Sequence, residues 1–230
     1  MKTPQEVNYY MIPGMGANKR LYENYQLPGR MHHLEWEYVP GAKSLADYAQ
    51  SIAQKINTSN NIIVGSSMGG MMAVEVSRLV SPALTVLISA PTGRHEFPLS
   101  LKVLDRIGLH RALTPGALFK LTRLCDTFMG FKTSEQRAMF YEMMQSNGPD
   151  FLHYSVRAVL GWGNETPPSG PFIQIIGDKD KLFDCRKIYG VRVLQNSGHF
   201  STYEKSEEIC SIIKEETFKI LGNENRAYPH

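Results

Sequence analysis

The 230-residue chain has little cysteine. Its three, Cys125, Cys185 and Cys210, are an odd number at wide spacing, which fits neither a disulfide framework nor a metal motif. Free thiols suit a reducing compartment. No apolar run approaches the roughly 20 residues that a membrane-spanning helix needs. The opening Met1-Lys2-Thr3-Pro4-Gln5-Glu6 lacks the apolar core of a signal peptide. The expectation is a cytoplasmic protein with no membrane partner. Charge of one sign is also scarce: 25 basic against 22 acidic residues leave +3, and the basic residues are scattered. Binding to a phosphate backbone needs a concentrated stripe, so nucleic acid is not an expected partner. Internal repeats and low-complexity segments are missing as well.

What is present is the composition of an ordinary globular domain, 42% apolar and 20% charged. The length suits one domain with a full core. Residues 7–12 are β-branched and aromatic and stop at Pro13-Gly14, as a strand does at a turn. Residues 17–25 suit a short helix capped by Asn18, with Leu21 and Tyr25 on one face. Residues 33–39 alternate like a second strand. Ser44 and Asp47 open a helix in the manner of a capping box, and Leu45, Tyr48, Ala49, Ile52 and Ile56 follow at helical spacing. Residues 61–65 and 84–89 are short apolar strands around a helix over 69–80, whose Met72, Val76, Leu79 and Val80 face inward. Short, wholly apolar strands alternating with helices predict a parallel sheet covered on both faces.

The alternation stops at Pro91. Up to residue 168 the chain is Met-rich and helical in pattern. One helix is expected to hold Phe119, Leu121, Leu124 and Phe128, a second spans 135–144, and a third spans 151–160 and ends at Gly161-Trp162-Gly163. Strands return at 172–176 and 191–195, followed by an amphipathic helix over 204–221. The expected organisation is an α/β core over 1–90 and 169–221, a helical cap insert over 91–168 and a loose tail over 222–230. The sheet is expected to be six-stranded and mostly parallel, with helices on both faces. The insert leaves from the sheet edge where ligands bind in open α/β folds.

Four groups of residues carry chemistry. Ser67 lies between an apolar strand and a helix, flanked by Gly65 and Gly69. A serine hydroxyl needs a base, a group that orients the base and donors for an oxyanion. His199, in Ser197-Gly198-His199-Phe200, follows the last strand and is the candidate base. His32, His33, His95, His110, His153 and His230 are not so placed. Asp180 and Asp178, in Gly177-Asp178-Lys179-Asp180, compete as the acid, and Asp180 sits at the better reach from its strand. Pro13-Gly14-Met15-Gly16 can bring a backbone N–H close to the serine, with Met15 and Met68 as the two donors.

In these motifs the chain resembles the α/β-hydrolase superfamily over nearly its whole length. Gly65-Ser66-Ser67-Met68-Gly69 is similar to that family's Gly-x-Ser-x-Gly nucleophile elbow. Pro13-Gly14-Met15-Gly16 resembles its His-Gly-x-Gly oxyanion loop, with Pro13 in place of histidine. Gly177-Asp178-Lys179-Asp180 is similar to its Gly-x-x-Asp acid loop, which favours Asp180. The order Ser67, Asp180, His199 is the family's order. Six strands against the family's eight imply a compact, carboxylesterase-like member that lacks the first hairpin.

The resemblance implies a serine hydrolase acting on a small or medium carboxylic ester through an acyl-enzyme, with no cofactor and no metal. A carbon–carbon bond hydrolase or lyase on the same triad, and a small-molecule sensor with incidental turnover, are the alternatives. Met129, Trp162 and Phe200 are the residues expected to line the substrate pocket, together with the side chains of Met15 and Met68; the other role open to them is core packing. Asn18 and Arg20 can either meet a polar substrate group or serve as a cap and a surface charge. The oligomeric state is left open.

Overall fold

The computed structural model describes residues 6–37, 42–108, 114–117 and 126–224. Six strands form one sheet: β1 (Asn8–Ile12), β2 (Arg30–His33), β3 (Asn61–Ser66), β4 (Leu84–Ile88), β5 (Phe172–Gly177) and β6 (Arg192–Leu194). Their order is β2-β1-β3-β4-β5-β6, and every neighbouring pair is parallel. The chain runs outward from β1 to β2 and then returns to the other side of β1 at β3. That reversal opens a crevice at the C-terminal ends of β1 and β3. Met11 pairs with Val64 and Ile12 with Gly65, so the residues after both strands emerge side by side.

Alternation along the strands divides the core in two. Tyr10, Ile12, Ile63, Leu87 and Ile176 face α1 (Leu45–Ala53) and α2 (Met68–Val80). Tyr9, Met11, Val64, Ile88 and Ile175 pack in the opposite cluster with Tyr22, Met143, Ile209 and Ile213. The capping box at Ser44 and Asp47 is present, with both reciprocal bonds. Helices thus lie on both faces, as apolar strands without a polar side require.

Between β4 and β5 the described chain is helical: α3 (Leu99–Ile107), α4 (Asp126–Met129) and α5 (Ser134–Leu160). Polar side chains tie the two ends of this insert together. Arg94 donates to the carbonyls of Leu160 and Trp162 and pairs with Asp105 at 2.6 Å. Arg78 of α2 donates to Asn164, Thr166 and Pro167. Two helices close the fold, the short α6 (Ser201–Glu204) and the long α7 (Ser206–Glu224).

Several details differ from the sequence reading. The segment over 17–25 forms a 3-10 turn at Lys19–Tyr22, with Asn18 capping Arg20 N–H. So short a segment does not recover the cost of an α-helical nucleus. The second strand is Arg30–His33 rather than 33–39, because its pairing is set by β1, which ends its ladder at Met11 and His33. Val39 lies outside the described residues, as do Phe119, Leu121, Leu124, Cys125, His110 and His230. Phe128 is on α4 and half exposed. Leu79 is also exposed, so the buried stripe of α2 is narrower than its periodicity suggests. The two expected helices over 135–144 and 151–160 are halves of α5, joined at a kink. The last helix continues through 222–224, into the expected tail.

The kink has a local cause. Gly148 adopts φ 76° and ψ 162°, and Pro149 follows. That backbone region is accessible to glycine almost alone, and proline lacks the N–H of a continuing helix. A Cβ at Gly148 would meet nothing within 4 Å, so the constraint is conformational and not steric crowding by neighbours. Gly148→Ala is expected to lower stability by about 1–3 kcal/mol, read as a lower urea midpoint with an unchanged slope.

Candidate active site

Ser67 stands at the tip of the turn from β3 into α2. Its φ of 51° and ψ of −117° are strained for a residue with a side chain. Such a backbone costs about 1–3 kcal/mol and persists where its surroundings dictate it. Here they do. A Cβ at Gly65 would overlap the carbonyl of Gly69, and one at Gly69 would overlap the carbonyls of Ile12 and Pro13. One at Gly70 would overlap Ala90 Cβ. The turn is held by Ser67 N–H donating to Ile88 O at 2.9 Å and by the N–H groups of Gly70 and Met71 donating to Ser67 O. The N-terminus of α2 therefore faces the crevice, with its partial positive charge at Ser67.

His199 arrives from the loop after β6. Its Nε2 is 2.9 Å from Ser67 Oγ, and its Nδ1 is 2.9 Å from Asp180 Oδ2. The side chains of His199 and Asp180 are 3% and 0% exposed. An ionised carboxylate can only accept, so Nδ1 carries the proton and Nε2 accepts from the Ser67 hydroxyl. Asp180 Oδ1 accepts from Leu182 N–H at 2.8 Å and Phe183 N–H at 3.1 Å. Burial acts to raise the Asp180 pKa. The charge and hydrogen bond of His199, with those two N–H groups, outweigh it and hold the carboxyl below its usual 3.8.

Asp178 is placed differently. It is exposed, and its Oδ1 accepts from Ser197 N–H at 3.0 Å. Lys179 N–H donates to Ser197 O, and a Cβ at Gly177 would overlap that same oxygen. Asp178 therefore braces the histidine loop against the acid loop. From the other side, Phe200 N–H donates to Met129 O at 2.9 Å. Lys132 donates to Asn196 O at 2.9 Å and pairs with Glu204. The Phe183 ring lies 5.8 Å from the His199 ring. Behind the loop, Ser66 bonds to Thr202 and Ser89 to Ser201.

Met68 follows Ser67 directly, and Met15 follows Gly14 in the loop after β1. Met68 opens α2, so its N–H has no carbonyl one turn back to bond. Met15 N–H has no acceptor among the described residues. A Cβ at Gly14 would stand 3.3 Å from Ser67 Cβ, which measures how closely this loop approaches the serine. The Met15 side chain is half-buried and packs against both core clusters, while Met68 is buried.

The expected pocket residues divide. Met129 is partly buried beside the histidine loop. Trp162 is in the core instead of the crevice. Its indole N–H donates to Glu75 Oε1 at 2.7 Å, and its ring leans on Phe97. A buried indole N–H needs an acceptor, and α2 provides it. Phe200 is also interior, against Phe131 and Phe140. Asn18 donates to Ser146, and Arg20 pairs with Glu142 at 2.9 Å, so both join the loop after β1 to α5. The sequence reading missed Phe183 and Trp36, whose Nε1 reaches Gly14 O at 3.2 Å. No local pattern marks either ring, because the Phe183 ring meets His199 and the Trp36 indole meets Gly14, both distant in the chain. Among the described residues, no three His, Cys, Asp or Glu side chains converge as metal ligands, and no helix is long and apolar enough to cross a membrane.

A model of the alpha/beta hydrolase family matches residues 12–212. No curated protein matches by sequence. Among solved structures, the chain is similar to a thermophilic esterase from Thermogutta terrifontis, at 18% identity and TM-score 0.75, covering 95% of this chain and 92% of that one. It is also similar to an esterase from Exiguobacterium antarcticum, at 15% identity and TM-score 0.66, covering 94% and 93%. A third is the N-acyl homoserine lactonase AidH, at 11% identity and TM-score 0.67, covering 96% of each chain.

Two outcomes follow from this geometry. A carboxyl whose pKa is lower folded than unfolded adds stability above the unfolded value and loses it as pH falls through the folded value. Asp180→Asn should therefore flatten the fall in stability below about pH 4, measured by urea midpoints across an acid pH series. Gly69→Ala should destabilise by roughly 3 kcal/mol or prevent folding, since its Cβ meets only backbone; calorimetry of the purified variant checks it.

Proposed function

Since the chain belongs to the alpha/beta hydrolase family, we propose that it is a carboxylic-ester hydrolase with Ser67 as nucleophile, His199 as general base and Asp180 as the group that orients His199. The observation that carries this reading is the continuous relay from Ser67 Oγ through both nitrogens of His199 to Asp180, each link 2.9 Å long. A serine merely lodged in a tight turn has no need of a buried imidazole and a buried carboxylate in line.

The relay supports the following chemistry. His199 Nε2 takes the Ser67 proton as Oγ attacks the carbonyl carbon. The N–H groups of Met15 and Met68 receive the oxyanion, assisted by the N-terminus of α2. The alcohol leaves with the proton from His199, and an acyl-enzyme remains. His199 then activates water, which releases the acid and restores Ser67. Asp180 keeps the proton on Nδ1 and stabilises the imidazolium.

The choice of an ester is supported by the names of the similar structures, two esterases and a lactonase, since a lactone is a cyclic ester. Small or medium acyl groups suit the methionine side chains near Ser67, which adapt to varied shapes. The insert over 91–168 acts as the cap that selects the substrate.

p-Nitrophenyl esters of increasing acyl length test the proposal. Wild-type protein should turn over the shorter esters. Ser67→Ala should lose at least about a thousand-fold in kcat. Asp180→Asn should lose far more activity than Asp178→Asn. Equal turnover by wild type and Ser67→Ala would remove Ser67 from the mechanism, and loss on Asp178→Asn alone would reassign the acid.

A further inference from the structure

We infer that Trp36 is a positioning residue for the oxyanion hole, acting through the carbonyl of Gly14. The inference rests on the reading of Met15 N–H as an oxyanion donor. Gly14 C=O and Met15 N–H belong to one peptide unit. That unit is planar and trans, so the carbonyl and the N–H point in opposite directions. Whatever fixes the direction of the carbonyl also aims the N–H.

Two donors hold the Gly14 oxygen. Trp36 Nε1 donates at 3.2 Å and Ala17 N–H at 3.1 Å. Both are on the side opposite to Met15 N–H, which is left with no acceptor among the described residues. The loop itself supplies little stiffness. Gly14 lacks a Cβ, so rotation on its side of the Gly14–Met15 peptide meets little steric resistance. The unit turns on ψ of Gly14 and φ of Met15, and rotation there would bring the Gly14 oxygen round in place of the donor. An oxygen at that position repels the developing oxyanion instead of stabilising it.

Trp36 is well held for this task. Its ring packs against Tyr48 at 5.4 Å and Phe151 at 5.6 Å between ring centres. Tyr48 in turn accepts from Glu37 N–H and donates to Glu37 O, which clamps the backbone next to Trp36. The early end of β2 makes the contact available. The chain leaves the sheet after His33, so Trp36 passes over the end of the sheet instead of pairing within it. Phe151 belongs to the second half of α5, so the insert supports the donor loop through the indole.

Phosphonylation of Ser67 tests the inference without a known substrate. A fluorophosphonate reacts as Ser67 Oγ bonds to phosphorus, fluoride leaves and His199 takes the serine proton. Its transition state places a charged P–O where the oxyanion would sit. The variants are Trp36→Phe and replacement of Trp36 by 3-benzothienylalanine, which keeps the indole shape and puts sulfur in place of the N–H. Both should reduce the maximal rate of Ser67 labelling about ten-fold, the worth of one hydrogen bond, with the inhibitor concentration at half-maximal rate unchanged. The benzothienylalanine protein should melt within about 4 °C of wild type, the shift that one lost hydrogen bond brings. Wild-type labelling rates in that protein would overturn the role of Trp36 while leaving Ser67 as the nucleophile. Failure of wild-type Ser67 to label would overturn the underlying reading itself.

Discussion

The structure depends on one close approach of backbone to backbone. At the ends of β1 and β3, the turn carrying Ser67 lies against Ile12 and Pro13 with no side chain between them. Gly65 and Gly69 permit this, and the strain at Ser67 is the result. Because the contact is backbone on backbone, it has little freedom to drift. It aligns three things at once: the serine hydroxyl, the N-terminus of α2 and the loop that carries Met15. A looser turn would separate them by more than catalysis tolerates.

The histidine depends on a different kind of support. His199 sits on a loop after β6, a strand of three residues at the sheet edge. A loop so placed needs bracing, and its neighbours provide it from several directions. Asp178 and Lys179 bind Ser197, Met129 binds Phe200, and Lys132 binds Asn196. The last two come from the insert. The insert thus helps to hold the loop that carries His199. Asp180 can then remain charged while buried, since its two oxygens accept from one imidazole and two peptide N–H groups.

The same residues show what can be read locally. The Gly-x-Ser-x-Gly turn and the six strands are visible in the chain because each rests on neighbours within a few positions. So does the capping box at Ser44. The pocket residues are less legible. Trp162 and Phe200 follow informative motifs, yet both are spent on packing, against α2 and against Phe131 and Phe140. Sequence position says that a large ring is near the site; it does not say which way the ring turns. The length of β2 was hidden for a similar reason, since an edge strand takes its register from its partner.

By itself the sequence determined the alternation of strands and helices, the parallel sheet and the candidates for the chemical groups. These follow from periodicity, glycine placement and motif spacing, which act over short stretches of chain. Tertiary structure alone decided the rest. It set Asp180 against His199 and Asp178, two residues away, against Ser197. It moved Trp162 from crevice to core and brought Trp36 to Gly14 across 22 residues. Each of these is a contact between distant segments, settled by which buried polar group finds a partner once the chain has closed on itself.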